Sequence, residues 1–157
     1  MTQYFRLISW SLLLSLCVGS VGSAEDRKLN YFMTVEGTCS KLELNGEVLR
    51  CKDILGHTEY DDGRIGFYFI EDGADGINLT FSGSGIGQST PSVNVRVQPI
   101  DGVIQIDGIR DVSGECMFEN PYAGPASIEC EALTASGERF VGHFLTNGSK
   151  PKIIDLP

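Results

Sequence analysis

After residue 24 the chain reads with a period of two. Apolar side chains hold alternate positions in short runs such as Ile65-Gly66-Phe67-Tyr68-Phe69 and Ile128-Glu129-Cys130-Glu131-Ala132, and Gly, Asn and Asp separate the runs. Such patterning makes one face of a strand apolar and leaves the other wet. Asp-Gly stands at 62–63, 72–73, 75–76, 101–102 and 107–108, and Asn-Gly at 45–46 and 147–148. These dipeptides tolerate positive φ and close tight hairpins. No run keeps a helical period between capping residues. The pattern therefore predicts about ten strands, near 31–36, 40–44, 47–52, 64–70, 77–83, 92–99, 103–107, 114–119, 127–134 and 138–145. The expected fold is all-β, an antiparallel β-barrel or β-sandwich in one domain over 25–157, because both architectures alternate in and out.

Register follows from matching apolar faces. For 64–70 against 77–83, Phe69 is expected opposite Ile77, Phe67 opposite Leu79 and Ile65 opposite Phe81. A turn at Asp101-Gly102 would pair Val97 with Ile106 and Pro99 with Ile104. Setting Cys116 opposite Cys130 pairs Phe118 with Ile128. A turn at 135–137 then pairs Ile128 with Phe144, Cys130 with Gly142 and Ala132 with Phe140, Gly142 leaving room for a cystine. Around Asn45-Gly46 a two-residue loop sets Ser40 opposite Cys51, whereas a three-residue loop or a bulge sets Cys39 there.

Residues 1–24 carry the pattern of a secretory signal peptide. Arg6 precedes an apolar run at 7–18, small residues follow at 19–24, and charge begins at Glu25-Asp26. Gly22 and Ala24 fall where a signal peptidase inspects, and the apolar run is short for a membrane span. Removing 24 of the 157 residues leaves 133. It takes away Trp10, the only tryptophan, and Cys17, and moves the net charge from -9 to -10 because Arg6 is the only charge lost. Cys39, Cys51, Cys116 and Cys130 remain. An even set in an exported chain favours disulfides. The pairs Cys39–Cys51 and Cys116–Cys130 each flank a turn, with crossed pairings still open. Zinc ligation is disfavoured, since no C-x-x-C occurs and His57 and His143 lie apart from the cysteines.

With 21 acidic and 12 basic side chains, neither a nucleic-acid backbone nor an anionic lipid surface is an expected partner. Catalytic candidates are few. His143 falls opposite Glu129 on a wet face, which serves either a base with an orienting carboxylate or, more simply, a surface pair. His57 sits beside Glu59 and Asp61 in what reads as a solvated connection over 56–62. No Gly-x-Ser-x-Gly leads into a helix, and after Cys17 is lost no lone thiol remains. No catalytic residue is assigned and no cofactor or metal is implied. The acidic turn over 71–78 has oxygen ligands that suit Ca²⁺ but lacks EF-hand spacing, so ordinary turn chemistry accounts for it. Asn78-Leu79-Thr80 and Asn147-Gly148-Ser149 match glycosylation sequons.

Two loops are candidates for binding. Asn120-Pro121-Tyr122-Ala123-Gly124-Pro125 is a tip between two cysteines, stiffened by prolines, with Tyr122 either displayed for recognition or folded back on the sheet. The second loop spans 82–91 and contains Ser82 and Ser84. Its Gly83-Ser84-Gly85-Ile86-Gly87 lacks the helix that a phosphate loop needs. Ser82-Gly83-Ser84-Gly85 resembles the Ser-Gly loop of bacterial periplasmic lysozyme inhibitors, which are small disulfide-bearing β-barrels. Where that family has a tyrosine shortly after, this chain has Gln88. The combination of Gly37-Thr38-Cys39, Gly63-Arg64-Ile65-Gly66-Phe67, Val97-Gln98-Pro99-Ile100 and Asn120-Pro121-Tyr122-Ala123-Gly124-Pro125 resembles small exported alphaproteobacterial proteins with no assigned function. That likeness implies a periplasmic compartment and no particular activity. The expected function is a non-enzymatic binding module, periplasmic or secreted, for a protein or small ligand of the envelope. A secreted inhibitor of a lysozyme or protease, and a small hydrolase using His143, are the alternatives.

Overall fold

The computed structural model describes residues 27–73, 78–84, 88–89, 95–105 and 107–155. The signal-peptide segment, the centre of the acidic turn, Ile106 and most of the segment after Ser84 lie outside these residues.

Eleven strands are described and no helix: β1 (Leu29–Leu44), β2 (Glu47–Val48), β3 (Cys51–Tyr60), β4 (Ile65–Glu71), β5 (Asn78–Gly83), β6 (Gln88–Ser89), β7 (Val95–Gln105), β8 (Gly108–Glu119), β9 (Ser127–Leu133), β10 (Arg139–Thr146) and β11 (Lys152–Ile154). Eight of them pair antiparallel in the order β1-β3-β4-β5-β7-β8-β9-β10, and β10 returns to β1. The sheet is therefore a closed barrel, which removes the edges a sandwich would leave exposed. Strands β2 and β11 pair with β1, and β6 with β7, outside the circuit. Both expected disulfides are present, Cys39–Cys51 and Cys116–Cys130.

The barrel is filled. Phe67, Phe69, Phe81, Phe140 and Phe144 meet Leu42, Leu55, Leu79 and the Cys116–Cys130 bridge in one core. Each such Leu or Phe contributes about 1.5–3 kcal/mol through burial. Phe69 and Phe81 stand edge to face with ring centroids 5.7 Å apart, the arrangement aromatic quadrupoles favour.

The meander β8-β9-β10 has the expected register throughout, with Cys116 opposite Cys130, Phe118 opposite Ile128, Ile128 opposite Phe144 and Ala132 opposite Phe140. Gly142 is opposite Cys130 as expected. A Cβ there would stand 2.7 Å from the Phe69 ring, so this glycine makes room for a phenylalanine from across the barrel.

Elsewhere the strands are longer than the alternation indicates, because register shifts inside β1 and β7 change its parity. Val35 and Leu42 both enter the core although their spacing is odd. Ser40 is the extra residue, since the β1–β10 pairing steps by one between Cys39 and Lys41. The same step reconciles the two-residue Asn45-Gly46 loop, with Leu44 opposite Glu47, with the β1–β3 register that sets Glu36 opposite Ile54. Continued along the strand, that register sets Cys39 opposite Cys51. The bridge thus uses the bulge and not a three-residue loop. Asn45 (φ 50°) and Gly46 (φ 86°) both take the left-handed region that such a turn needs.

In β7 the shift falls between Ile100 and Gly102, letting both Ile100 and Val103 turn inward. The strand continues through Asp101-Gly102, where the sequence predicts a turn, and β7 and β8 reach on to Gln105 opposite Gly108. The β4–β5 hairpin keeps the expected faces but slides by two residues, pairing Phe67 with Phe81 and Phe69 with Leu79. A slip of two conserves which side chains face inward.

Candidate functional site

Strand direction sorts the connections between the two ends of the barrel. At one end lie the connections 45–46 and 134–138, the end of β7 at Gln105 and the start of β8 at Gly108. At the other, here called the mouth, lie loops 61–64 and 120–126, the ends of β5 and β7 at Gly83 and Val95, and the start of β1. Both loops singled out from the sequence therefore spring from the same end.

Inside the mouth the inward faces of β1 and β3 turn polar. The positions Leu55, His57 and Glu59 share one face of β3, and Tyr31 is paired with Glu59, Met33 with His57 and Val35 with Leu55. His57 is thus a buried strand residue and not part of a solvated connection. The 56–62 segment read as a loop because inward positions here carry polar groups. The Tyr31 hydroxyl donates to Glu59 Oε2 at 2.9 Å and lies 3.5 Å from His57 Nε2. His57 Nδ1 is 3.2 Å from the Gly66 carbonyl. A carbonyl only accepts, so Nδ1 carries the proton and Nε2 presents its lone pair.

Burial pushes the His57 imidazole down to about 4, more than the Glu59 charge and the Gly66 carbonyl raise it, so the ring is neutral near pH 7. The Tyr31 phenol is pushed well above its ordinary value, first by burial and then by its bond to Glu59. Phe67 lies against the imidazole with ring centroids 4.7 Å apart. The cluster thus sets a neutral imidazole beside a phenol whose proton is held by Glu59. The sequence offered His57 and Glu59 only as part of a solvated connection, and Tyr31 not at all. The signal was the period-two series at 55, 57 and 59, continuing an apolar face onto polar side chains.

Tyr122 stands over this end. It is 58% exposed, and its hydroxyl points to Met33 Sδ at 4.0 Å. It therefore leans on the mouth and still shows most of its ring. The tip is fixed locally: Asn120 Oδ1 accepts from the Tyr122 amide at 3.0 Å, and the Asn120 carbonyl accepts from Ala123 at 3.1 Å. Its return limb is held by Thr146, whose hydroxyl accepts from the Ala126 amide at 2.8 Å while its own amide donates to the Ala126 carbonyl at 2.9 Å. Asn120 thus acts as the turn-former that presents Tyr122.

Ser82 and Ser84 meet in a different cluster. Arg64 clamps Asp101 with two bonds of 3.0 Å and gives a third of 2.9 Å to Ser82 Oγ. Ser82 is buried and donates to the Ile65 carbonyl, whereas exposed Ser84 donates to Asp101 Oδ2 at 2.7 Å. Burial raises the Asp101 carboxyl, but the bonds from Arg64 and Ser84 outweigh it and hold the group below its ordinary range. Both serines are engaged in locking the end of β5 to β7. His143 is paired with Glu129 of β9 and Lys41 of β1 on the outer wall, where cross-strand charge pairs are ordinary.

Among the described residues no three His, Cys, Asp or Glu side chains converge as a metal site. No helix among them is long and apolar enough to cross a membrane. The two cystines fit a non-reducing environment, periplasmic or extracellular. Compared with family models, curated proteins and solved structures, the chain matches none.

Proposed function

We propose that this protein is an exported, non-enzymatic binding module of the cell envelope or extracellular space, working through the mouth of its barrel with Tyr122 as the leading contact. The observation that carries this reading is the fixed, exposed Tyr122 above the Tyr31–His57–Glu59 cluster. The inward side chains described pack together in one core, which turns attention to loops and surface. Rigid loops that display an aromatic ring lose little entropy on binding. Export and cleavage after Ala24 supply the oxidising compartment in which the cystines persist. The test is capture of an envelope partner by wild-type protein and by Tyr122→Ala. Loss of capture at an unchanged melting temperature supports the reading, and equal capture by both overturns it.

A secreted inhibitor of a lysozyme or protease is the second reading. Exposed Ser84 at the mouth end of β5, on a closed disulfide-bearing barrel, favours it. Inhibition assays against a lysozyme and a serine protease, with Ser84→Ala as the control, decide it.

A further inference from the structure

The outer wall of β3, β4, β5 and β7 holds a concavity of about 360 Å³, whose lining includes Arg64 of the 61–64 loop but not Tyr122. That volume lies within the range of about 300–1,000 Å³ usual for small-ligand sites. Its floor is unusual for an outward face. Thr58, Thr80 and Ser82 alternate with the inward Leu55, Leu79, Phe67 and Phe81 partners of their strands, and so point away from the core. They are nevertheless only 4–8% exposed. Tyr68 lies across the floor, its hydroxyl 3.2 Å from Thr58 Oγ1, over the space left by Gly66, where a Cβ would meet both. Tyr60 adds a second phenol, and Ile104 and Ile109, opposite each other across β7 and β8, add apolar surface.

Charge in the groove is already balanced. Arg64 is clamped by Asp101, and Arg27 is paired with Asp62 at 2.8 Å. One donor is left over: Arg64 Nε is buried with no acceptor among the described residues. A buried N–H without a partner is uncommon and calls for one. An anion would find both guanidinium groups taken by carboxylates, whereas a ligand with neutral oxygens and an apolar ring face would use every feature present.

We propose that this groove binds one or two rings of a neutral saccharide. Sugar hydroxyls both donate to and accept from the threonine, serine and tyrosine hydroxyls. The C–H faces of the rings lie against Tyr60, Tyr68 and the Ile104–Ile109 pair. This site goes beyond the mouth and does not depend on it.

The test is an amide-resolved NMR titration of the disulfide-intact protein with cellobiose and with N,N′-diacetylchitobiose, and with sodium sulfate as the anion. At least one disaccharide is expected to give saturable shifts at Gly66, Thr80, Ser82 and Ile104, with the Tyr122 amide unmoved. Ile109→Asp is expected to weaken that binding about tenfold at an unchanged melting temperature, since Ile109 is exposed. Tyr122→Ala is expected to leave it intact, so failure at the mouth and failure at the groove are distinguishable. The proposal is overturned if neither disaccharide gives saturable shifts by about 20 mM. It is equally overturned if the shifts centre on the Tyr122 loop, if sulfate reproduces them, or if Ile109→Asp leaves them unchanged.

Discussion

Gly142 and Phe69 meet across the barrel, on β10 and β4, where a Cβ on the glycine would stand 2.7 Å from the ring. Phe69 is fully buried and edge to face with Phe81, so a methyl group at 142 requires the ring or the backbone to shift. Overpacking of this kind costs about 1–3 kcal/mol. Gly142→Ala is accordingly expected to lower the melting temperature by several degrees with the disulfides intact. An unchanged thermal midpoint would show that the core accommodates the methyl group.

His57 makes stability depend on pH in a defined direction. Its value lies near 4 in the native state against 6.5 in the unfolded chain. Between these values the unfolded chain holds the extra proton, so stability rises with pH. The contribution is complete above about 6.5 and is lost as pH falls through about 4, by as much as about 3 kcal/mol. Denaturation midpoints for wild type and His57→Gln, measured from pH 7 to pH 4, isolate this from the carboxylates. Wild type is expected to lose more over that window, and parallel profiles would contradict it.

The two cystines are expected to differ. Cys116 and Cys130 are wholly buried in the core, whereas Cys39 and Cys51 are half-buried at its margin. Loops of 12 and 14 residues are nearly equal in closure entropy, so packing sets the difference. Replacing Cys39 and Cys51 together by Ala is expected to cost about 3 kcal/mol, and replacing Cys116 and Cys130 about 5 kcal/mol. Under mild reductant, alkylation followed by mass spectrometry is expected to label Cys39 and Cys51 first. Simultaneous labelling of all four would contradict the difference in access.

Alternation made the β-fold, both cystine pairs and the whole β8-β9-β10 meander readable, because Cys116, Phe118, Ile128, Cys130, Ala132, Phe140 and Phe144 keep a period of two on one face. It misled wherever parity changes inside a strand. The bulge at Ser40 makes β1 look like two strands, and the shift beside Asp101 makes β7 look like a hairpin whose Asp-Gly is the turn. Polar inward residues hid β3 in the same way, for His57 and Glu59 break an apolar series while keeping its period. Closure of the sheet into a barrel rests on the β1–β10 pairing, a contact between distant segments that no local pattern records. The candidate loops were visible one at a time. Their emergence at one end of the barrel follows from the strand order, which local patterning does not contain.

A photo-crosslinking residue placed at position 122 tests the mouth as the working surface most directly, with the same probe at Leu133 as its counterpart. Leu133 is also exposed but lies at the hairpin end. In extracytoplasmic fractions, adducts of discrete mass are expected from position 122 and not from position 133. Equal adducts from both positions, or adducts from position 133 alone, would contradict recognition through the mouth.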